Sequence, residues 1–410
     1  MKRVLSLATV VAFAAGSAAT LLLLKPELRA LIAPDKAQAN AALYAPRDWQ
    51  RQTASKLNIS VFAFSDRNRN GIFDLGDKPL HRIAVRLTRP DGSTRIERSN
   101  INGFTNFSMQ KGGDEADIRQ TGVNYRFKLL PPPGWEVTTK NAAQTTTFID
   151  VPGAIAGIGA ENPPGVVGLA PPLTVRGSLD GAGKRAATAR KATGESQEIF
   201  LNREGGFEEA LSPGIWRLSP PREVATAEVG TGKRGERVVD LAYAPVVLGS
   251  AVPSGSTGGP GVPATTVGFD DLDRSPIEKI ASGYAGLAWD YLLAVDNQFY
   301  KGPGYINGLM SGSMVAYNSS GHPVTISARK AGETFDFVGG YFSIAWHNAE
   351  GETLHVKAWR GDEIVAEDSI RLSHLTPIYF QADYEGITRL QLATEHYWQF
   401  VVDDLRFRVP

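Results

Sequence analysis

The chain has 410 residues, in which 43 Lys and Arg balance 43 Asp and Glu, and it contains no cysteine. The length allows several domains at roughly 100–200 residues each, and the lack of cysteine excludes thiol catalysis, thiolate metal sites and disulfides. Residues 267–410 carry 11 basic against 19 acidic groups. Because such a field repels phosphate, we expect no nucleic acid among the partners.

The first predicted element is an apolar segment, residues 1–24, in which Lys2 and Arg3 precede an uncharged run. The run is long for a secretory signal and just reaches the roughly 20 residues that span a bilayer. We therefore expect an exported protein, with this hydrophobic helix as either a signal peptide or a membrane anchor. Residues 25–56 follow as a polar stem. The expected location is the cell surface or periplasm, membrane-anchored, or the secreted state.

Short strand-like runs between Asp, Asn, Gly and Pro clusters predict an all-β protein after the stem. Residues 57–151 have enough runs for one β-sandwich, and the Gly/Pro/Ala-rich residues 152–172 are predicted to be a linker. Residues 173–248 are predicted to form a small β-domain. Residues 249–266 hold no charged or aromatic residue, which predicts a flexible linker. The regular series of strands in residues 267–410 predicts a jelly-roll.

The most specific chemical pattern lies in residues 66–77. Ca²⁺ takes roughly six to eight oxygen ligands, and a twelve-residue calcium loop supplies them at positions 1, 3, 5, 7, 9 and 12 with Gly at position 6. This segment has that spacing, with Gly71 at the turn and ligands predicted from Asp66, Asn68, Asn70, Ile72 (backbone carbonyl), Asp74 and Asp77. The last ligand is Asp in place of Glu, so its reach is shorter and binding is predicted to be weaker. The alternative is an Asx-rich turn without metal.

A family resemblance rests on the same segment. The residues that carry it are the string VFAFSDRNRNGIFDLGDKPLHRIAVRLTRPDGS, followed by NGFTNF at residues 102–107. Through them, residues 57–151 resemble the B-type repeat of serine-aspartate-repeat surface adhesins. The resemblance implies an immunoglobulin-like sandwich rigidified by Ca²⁺, which acts as a stalk between a surface and a working domain. Pro132–Trp135 replaces the closing Gly-x-Tyr signature of the family, so the later strands depart from its pattern.

The C-terminal segment, residues 267–410, resembles extracellular jelly-rolls of the carbohydrate-binding and galactose-binding-like type. The resemblance is carried by FDDL at 269–272, GYAGLAW at 283–289, GGYF at 339–342 and VDDL at 402–405. It implies that the first and last strands lie side by side and that carboxylates from both share a calcium ion.

Asp271 and Asp403 are the candidates for this second calcium. Strand alternation places Asp403 on the same face as Leu405 and Phe407. A carboxylate buried there needs a cation or hydrogen-bond donors. The alternative is that these residues are solvated Asp pairs at turns.

The recognition site is predicted from aromatic rings that stack on sugars. Residues 290–308 are loop-like, aromatic and rich in Asn, so Tyr300, Tyr305 and Asn307 are the candidate ligand contacts, together with Trp289. The predicted function is a calcium-stabilised stalk that presents a recognition module. We expect a glycan as the partner, with a surface protein as the alternative.

No catalytic motif is present in the sequence. It lacks a Gly-x-Ser-x-Gly elbow, a His-Glu-x-x-His helix and a phosphate loop, and its six His are scattered. We therefore predict a protein that is not an enzyme. One alternative is a carboxylate-based polysaccharide hydrolase or lyase, with an acid pair among Asp290, Asp296, Glu333 and Asp336. Another alternative is a purely structural envelope protein that binds another protein.

Overall fold

Three strand-built modules make up the part of the chain that this computed structural model describes, residues 57–179, 186–221, 235–253, 263–272 and 276–410. The predicted all-β class with tandem β-sandwiches is confirmed. The predicted hydrophobic segment 1–24 and stem 25–56 lie outside the described residues. Within the described ranges, no helix has the length and apolar character needed to cross a bilayer.

The N-terminal module is a two-sheet sandwich. Its strands are β1 (Leu57–Ser65), β2 (Lys78–Pro79), β3 (Ala84–Thr88), β4 (Thr94–Arg98), β5 (Phe104–Met109), β6 (Asn124–Leu130), β7 (Glu136–Val137), β8 (Ala143–Asp150), β9 (Ile158–Ala160) and β10 (Val167–Ala170). One sheet has the order β4-β3-β6-β8-β9, and the other has the order β2-β1-β10-β7, with β5 also paired to β1. Strand alternation turns Tyr125, Phe127 and Leu129 of β6 into the core.

The N-terminal module extends beyond its predicted end at residue 151. Residues 152–172 contain β9 and β10 in place of the predicted linker, and β10 pairs in parallel with β1. Val167 and Leu169 are 0% exposed. A Gly/Pro-rich stretch is therefore part of the sandwich, because its few apolar side chains complete the core.

The described residues of the middle module contain seven strands. They are β11 (Thr174–Ser178), β12 (Ala186–Lys191), β13 (Ser196–Phe200), β14 (Gly206–Ala210), β15 (Gly214–Ser219), β16 (Arg237–Leu241) and β17 (Val246–Leu248). One sheet has the order β13-β12-β15-β16, and β14, β11 and β17 lie side by side in a second sheet. Trp216 and Leu218 are fully buried between them.

The C-terminal module is a jelly-roll of two facing sheets. Its strands are β18 (Thr265–Val267), β19 (Ile277–Lys279), β20 (Leu287–Asp290), β21 (Leu292–Asp296), β22 (Met314–Asn318), β23 (Val324–Ala328), β24 (Phe335–Ile344), β25 (Thr353–Arg360), β26 (Glu363–Arg371), β27 (Ile378–Ile387), β28 (Arg389–Thr394) and β29 (Phe400–Arg408). A short helix, α1 (Pro303–Asn307), and 3-10 turns at Tyr284–Gly286, Ser319–Gly321 and His347–Ala349 complete it.

The two sheets of the jelly-roll enclose the largest apolar core. One sheet has the order β20-β23-β28-β25-β26, and the other contains β27-β24-β29-β22-β21-β19. β18 pairs with β29, so the first and last strands of the module lie side by side. Phe337, Phe380 and Phe407 pack between the sheets.

The middle module and the jelly-roll share one ten-stranded sheet. β17 lies between β11 and β27 and runs parallel to both. The chain then continues along the jelly-roll through a bridge between Val252 and Tyr384. Residues 249–253 of the predicted flexible linker are thus packed on a module, and residues 254–262 lie outside the described part of the chain.

Candidate functional site

The predicted calcium loop, residues 66–77, connects β1 to β2. Asp66 is 0% exposed, and its two carboxylate oxygens accept the backbone N–H groups of Asn70 (3.2 Å) and Gly71 (2.7 Å). Gly71 has a φ of 76°, a left-handed conformation that favours glycine. The first acidic residue and the glycine thus fix the turn locally.

The remaining predicted side-chain ligands face each other across the loop. The amide Nδ2 of Asn68 donates to Asp74 Oδ1 at 3.0 Å, and that of Asn70 donates to Asp74 Oδ2 at 2.7 Å. Asp77 is 1% exposed and accepts the backbone N–H groups of Arg67 and Asp74. Ile72 is an exposed residue of the same turn.

Burial and like charge act on the acidic groups of the loop. Burial, helped by the charges of Asp66 and Asp74, raises the pKa of Asp77 to about 6 against the lowering effect of its backbone hydrogen bonds. A bound cation would favour the ionised form of all three carboxylates.

The donor set of the loop fits a hard cation. Three carboxylates and two amide oxygens are the ligands that Ca²⁺ prefers. Hydrogen bonds within the loop hold it closed in this structure. Among the described residues, the carboxylate oxygens of Asp66, Asp74 and Asp77 do not all lie within 4.8 Å of one another. Asn68 Oδ1 and Asn70 Oδ1 accept the backbone N–H groups of Asn70 (3.0 Å) and Ile72 (2.7 Å), so binding of an ion would require both amides to redirect their oxygens toward it.

The same loop contacts the jelly-roll. Arg67 donates through Nη1 to Met310 O at 2.7 Å and through Nη2 to Leu309 O at 2.8 Å. The backbone N–H groups of Met310 and Ser311 in turn donate to Asp403 Oδ2 at 2.6 Å and 3.0 Å. A continuous chain of polar contacts therefore joins the loop to the last strand of the jelly-roll.

Asn307, a predicted ligand contact, is a joint between modules. It is 8% exposed, its Oδ1 accepts the His81 N–H at 2.9 Å, and its Nδ2 donates to the carbonyls of His81 (3.3 Å) and His374 (2.9 Å). Both amide hydrogens of Asn307 and one acceptor site of its Oδ1 are thus bonded to the N-terminal module and to the β26–β27 connection. The structure therefore does not place Asn307 in an exposed site.

The other predicted ligand contacts are packed side chains. Tyr305 is 0% exposed and Trp289 is 6% exposed, while Tyr300 is half-buried against Tyr305 and Trp346. The Trp289 ring N–H donates to Tyr284 O. Aromatic composition predicted a binding loop here, but these rings pack against their neighbours within the jelly-roll.

Asp271 and Asp403 have separate partners in the described structure. Asp403 is 0% exposed and accepts three backbone N–H groups. Burial raises its pKa well above the ordinary value, helped by the charge of Asp404. Asp271 accepts the Tyr284 hydroxyl at 2.6 Å.

The carboxylates of Asp270 and Asp404 both lie beside Gly268, next to the edge where the first and last strands of the module pair. Asp404 Oδ1 and Asp270 Oδ2 lie 3.1 and 3.4 Å from the position that a Cβ would take at Gly268. The sequence prediction chose Asp271 and Asp403, whereas the structure places their neighbours Asp270 and Asp404 at this edge. Asp404 has a φ of 48°, which breaks the regular alternation on which the prediction rested.

The predicted acid pairs of an enzyme are engaged in other contacts. Glu333 pairs with Lys330 at 2.9 Å, and Asp336 accepts the Gly386 N–H at 2.9 Å and faces Arg408 at 3.4 Å. Asp296 caps the N–H of Gln298. Asp290 lies at the end of β20.

Tyr291, His322, Tyr397 and Trp398 form an exposed aromatic surface, and none of them was among the predicted ligand contacts. Tyr291, Tyr397 and Trp398 are 51%, 72% and 38% exposed. The rings of Tyr291 and His322 lie 4.9 Å apart. The aromatic surface therefore presents rings to solvent, unlike the predicted loop.

Strained backbone and a buried amide hold the aromatic surface. Tyr291 and Tyr397 both have a φ of 59°, an uncommon conformation for a bulky residue that tends to occur at functional sites. Asn318 is 0% exposed, and its Nδ2 donates to the carbonyls of His322 and Trp398. A Cβ at Gly321 would lie 1.8 Å from Tyr397 O, so only glycine permits this approach.

Comparisons with known proteins find similar structures but no family. No family model matches the chain, and no curated protein matches it. A Bacillus anthracis structure, the TIE protein, is 11% identical over 47% of this chain and 32% of its own, with a TM-score of 0.22. The CBM22-1–GH10 modules of a Clostridium thermocellum endo-1,4-β-D-xylanase, complexed with xylohexaose, are 15% identical over 35% of this chain and 28% of their own, with a TM-score of 0.20.

A third similar structure is the N-terminal tandem CBM22 domain from Paenibacillus barcinonensis, 10% identical over 68% of this chain and 94% of its own, with a TM-score of 0.21. The chain spans about a third or less of the first two matched structures. At these TM-scores the similarity carries no argument about function, which has to come from the chain's own residues.

Proposed function

We propose that the chain is a glycan-binding protein of the cell envelope, which contacts its ligand through the aromatic surface of the jelly-roll. The observation that carries the proposal is the exposure of Tyr291, Tyr397 and Trp398 on strained, internally braced turns. Exposed aromatic rings stack on the apolar faces of sugars, while neighbouring polar groups reach the hydroxyls. A site that is held rigid before binding loses little entropy on binding.

We also propose that residues 66–77 bind Ca²⁺ and stiffen the joint between the N-terminal module and the jelly-roll. The donor set, the burial of Asp66 and Asp77, and the contacts of Arg67 with Leu309 and Met310 support this role. Bound Ca²⁺ would supply positive charge to the three carboxylates. The side chains of the loop would hold it, and Arg67 would carry the resulting rigidity to the jelly-roll.

The proposed location outside the cell is supported by the sequence. The apolar run in residues 1–24 favours export through a signal peptide or anchor, and millimolar extracellular calcium fills even a weak loop. The chain then holds its jelly-roll away from the membrane by way of the stem and the N-terminal module. Binding without catalysis is part of the proposal, because Glu333 and Asp336 serve as structural ion-pair and hydrogen-bond partners.

A glycan array with the full chain, kept soluble in mild detergent, tests the proposal. Trp398→Ala and Tyr397→Ala are each expected to weaken binding at least tenfold with an unchanged melting temperature, because both side chains are exposed. Phe200→Ala, which removes a 67% exposed ring of the middle module, is the control and should leave binding unchanged.

The outcomes separate three kinds of protein. Binding that survives both substitutions in the aromatic surface would overturn the proposed site. Failure of the wild-type chain to bind any glycan, with capture of an envelope protein that is lost in Trp398→Ala, would favour the structural alternative. Release of reducing ends from a bound polysaccharide would favour the hydrolase.

A further inference from the structure

The jelly-roll brings together a second group of metal-ligating side chains, Glu352, Glu395 and His396, far from the calcium loop in sequence. Glu352 immediately precedes β25, and Glu395 and His396 immediately follow β28. These strands are antiparallel neighbours in register Leu354↔Thr394. The Glu395 N–H extends this ladder by donating to Thr353 O at 3.0 Å, so the sheet itself fixes the juxtaposition.

The distances within the group match one small ion. His396 Nδ1 lies 3.1 Å from Glu352 Oε2, and one ligand atom from each of the three side chains lies within 4.8 Å of the other two. A tetrahedral Zn²⁺ with bonds of roughly 2.0–2.2 Å holds its ligands about 3.3–3.5 Å apart. Across the described residues, no other three His, Asp or Glu side chains meet the 4.8 Å limit.

Burial and charge add a second argument. The Glu352 side chain is 4% exposed, whereas that of His396 is 68% exposed. Buried carboxylates are normally paired with a cation. Among the described residues, Glu352 accepts the backbone N–H of His396 at 3.1 Å, and its only ion-pair partner is the His396 imidazole. A divalent ion would compensate both Glu352 and Glu395.

The donor set distinguishes this group from the calcium loop. One imidazole nitrogen with two carboxylates suits a borderline ion such as Zn²⁺, while Ca²⁺ prefers oxygen ligands alone. Because Glu395 and His396 are exposed, the fourth coordination position would be open to water or to a donor from a bound molecule. The arrangement is typical of an open site rather than a closed structural one.

We propose that Glu352, Glu395 and His396 form a Zn²⁺ site at the end of the β25–β28 ladder. This inference is independent of the calcium loop. It is also independent of glycan binding, although Tyr397 and Trp398 follow the site directly in sequence.

Calorimetric titration of the full chain with Zn²⁺, in the presence of saturating Ca²⁺, tests the site. Stripped wild-type protein is expected to bind one equivalent of Zn²⁺. Glu395→Gln and His396→Asn are each expected to weaken binding at least tenfold. Glu395→Gln should leave the melting temperature of the metal-free protein unchanged, since the Glu395 side chain is exposed.

The jelly-roll offers a matched control pair. Glu350 and His374 form a similar contact, Nδ1 to Oε2 at 2.5 Å, without a third ligand among the described residues. His374→Asn should therefore leave Zn²⁺ affinity unchanged. Absence of saturable binding in the wild-type chain, full binding in Glu395→Gln and His396→Asn, or loss of binding in His374→Asn would each overturn the proposal.

Discussion

The proposed calcium loop, residues 66–77, and the segment that holds Asn307, residues 302–312, are two connections that meet at the same joint. In the first, the groups that shape the site lie within twelve residues: Asp66 accepts from Asn70 and Gly71, and Asp74 accepts from Asn68. In the second, Asn307 is bonded to His81, 226 residues away. Local spacing therefore reveals the chemistry of the first segment, whereas the role of the second depends on long-range packing.

The largest expected effect comes from Asn307→Ala, which tests whether this side chain is a joint or a ligand contact. Truncation leaves the His81 N–H and two carbonyls without their partner in a buried setting. We expect a loss of about 3 kcal/mol in the free energy of unfolding, at about 1 kcal/mol for each hydrogen bond. Urea denaturation measures it, with the exposed Asn348→Ala as control. Unchanged stability combined with lost glycan binding would restore the predicted ligand role.

Asp74→Asn tests the calcium loop with the next largest effect. Asp74 is exposed and accepts from both Asn68 and Asn70. The substitution removes one ligand charge, so we expect calcium affinity to fall at least tenfold in calorimetric titration while the metal-free protein keeps its melting temperature. Asp114→Asn, at an exposed position of the same module, is the matched control. Equal calcium binding by wild type and Asp74→Asn would show that the segment is an Asx-rich turn without metal.

Acidification is expected to have the smallest of these effects, a loss of folding stability that depends on His81. Burial lowers the pKa of His81 from 6.5, although hydrogen bonds to the backbone, including that of Ser99, oppose the shift. The folded state therefore binds fewer protons than the unfolded state, so stability is lost as the pH falls through 6.5 and is flat above it. Thermal melting between pH 7.5 and 5.5 should show a smaller decrease in His81→Gln than in wild type. An identical decrease would assign the pH dependence to other groups.

The parts of the molecule that follow a local rule were predictable from sequence. Alternation along β6 and the Asp/Asn/Gly spacing of residues 66–77 each depend on neighbours within one strand or turn. The pairing of β18 with β29 agrees with the resemblance to jelly-rolls. β10 and β17, by contrast, pair with strands from distant parts of the chain. The residues around both strands have the composition of a linker.

The predicted sites failed where exposure had to be assumed. Tyr305 and Asn307 are buried by segments that no local pattern reveals. Asp403, by contrast, is buried as predicted and accepts three backbone N–H groups. The sequence contains a signal for part of the aromatic surface. The segment Glu395-His396-Tyr397-Trp398 lies between two alternating runs, which is the position of a turn. Glu352 was unpredictable, because only the pairing of β25 with β28 brings it to His396.

Hydrogen exchange at the amides of Met310 and Ser311, with and without Ca²⁺, tests most directly whether the loop stiffens the joint. Arg67 holds the carbonyls of Leu309 and Met310, so ordering of the loop should slow exchange of these amides. Arg67→Gln should abolish the slowing, and Arg69→Gln should preserve it, because Arg69 contacts Glu136 and Pro171 within its own module. Exchange rates that are the same in Ca²⁺ and in chelator would contradict the account.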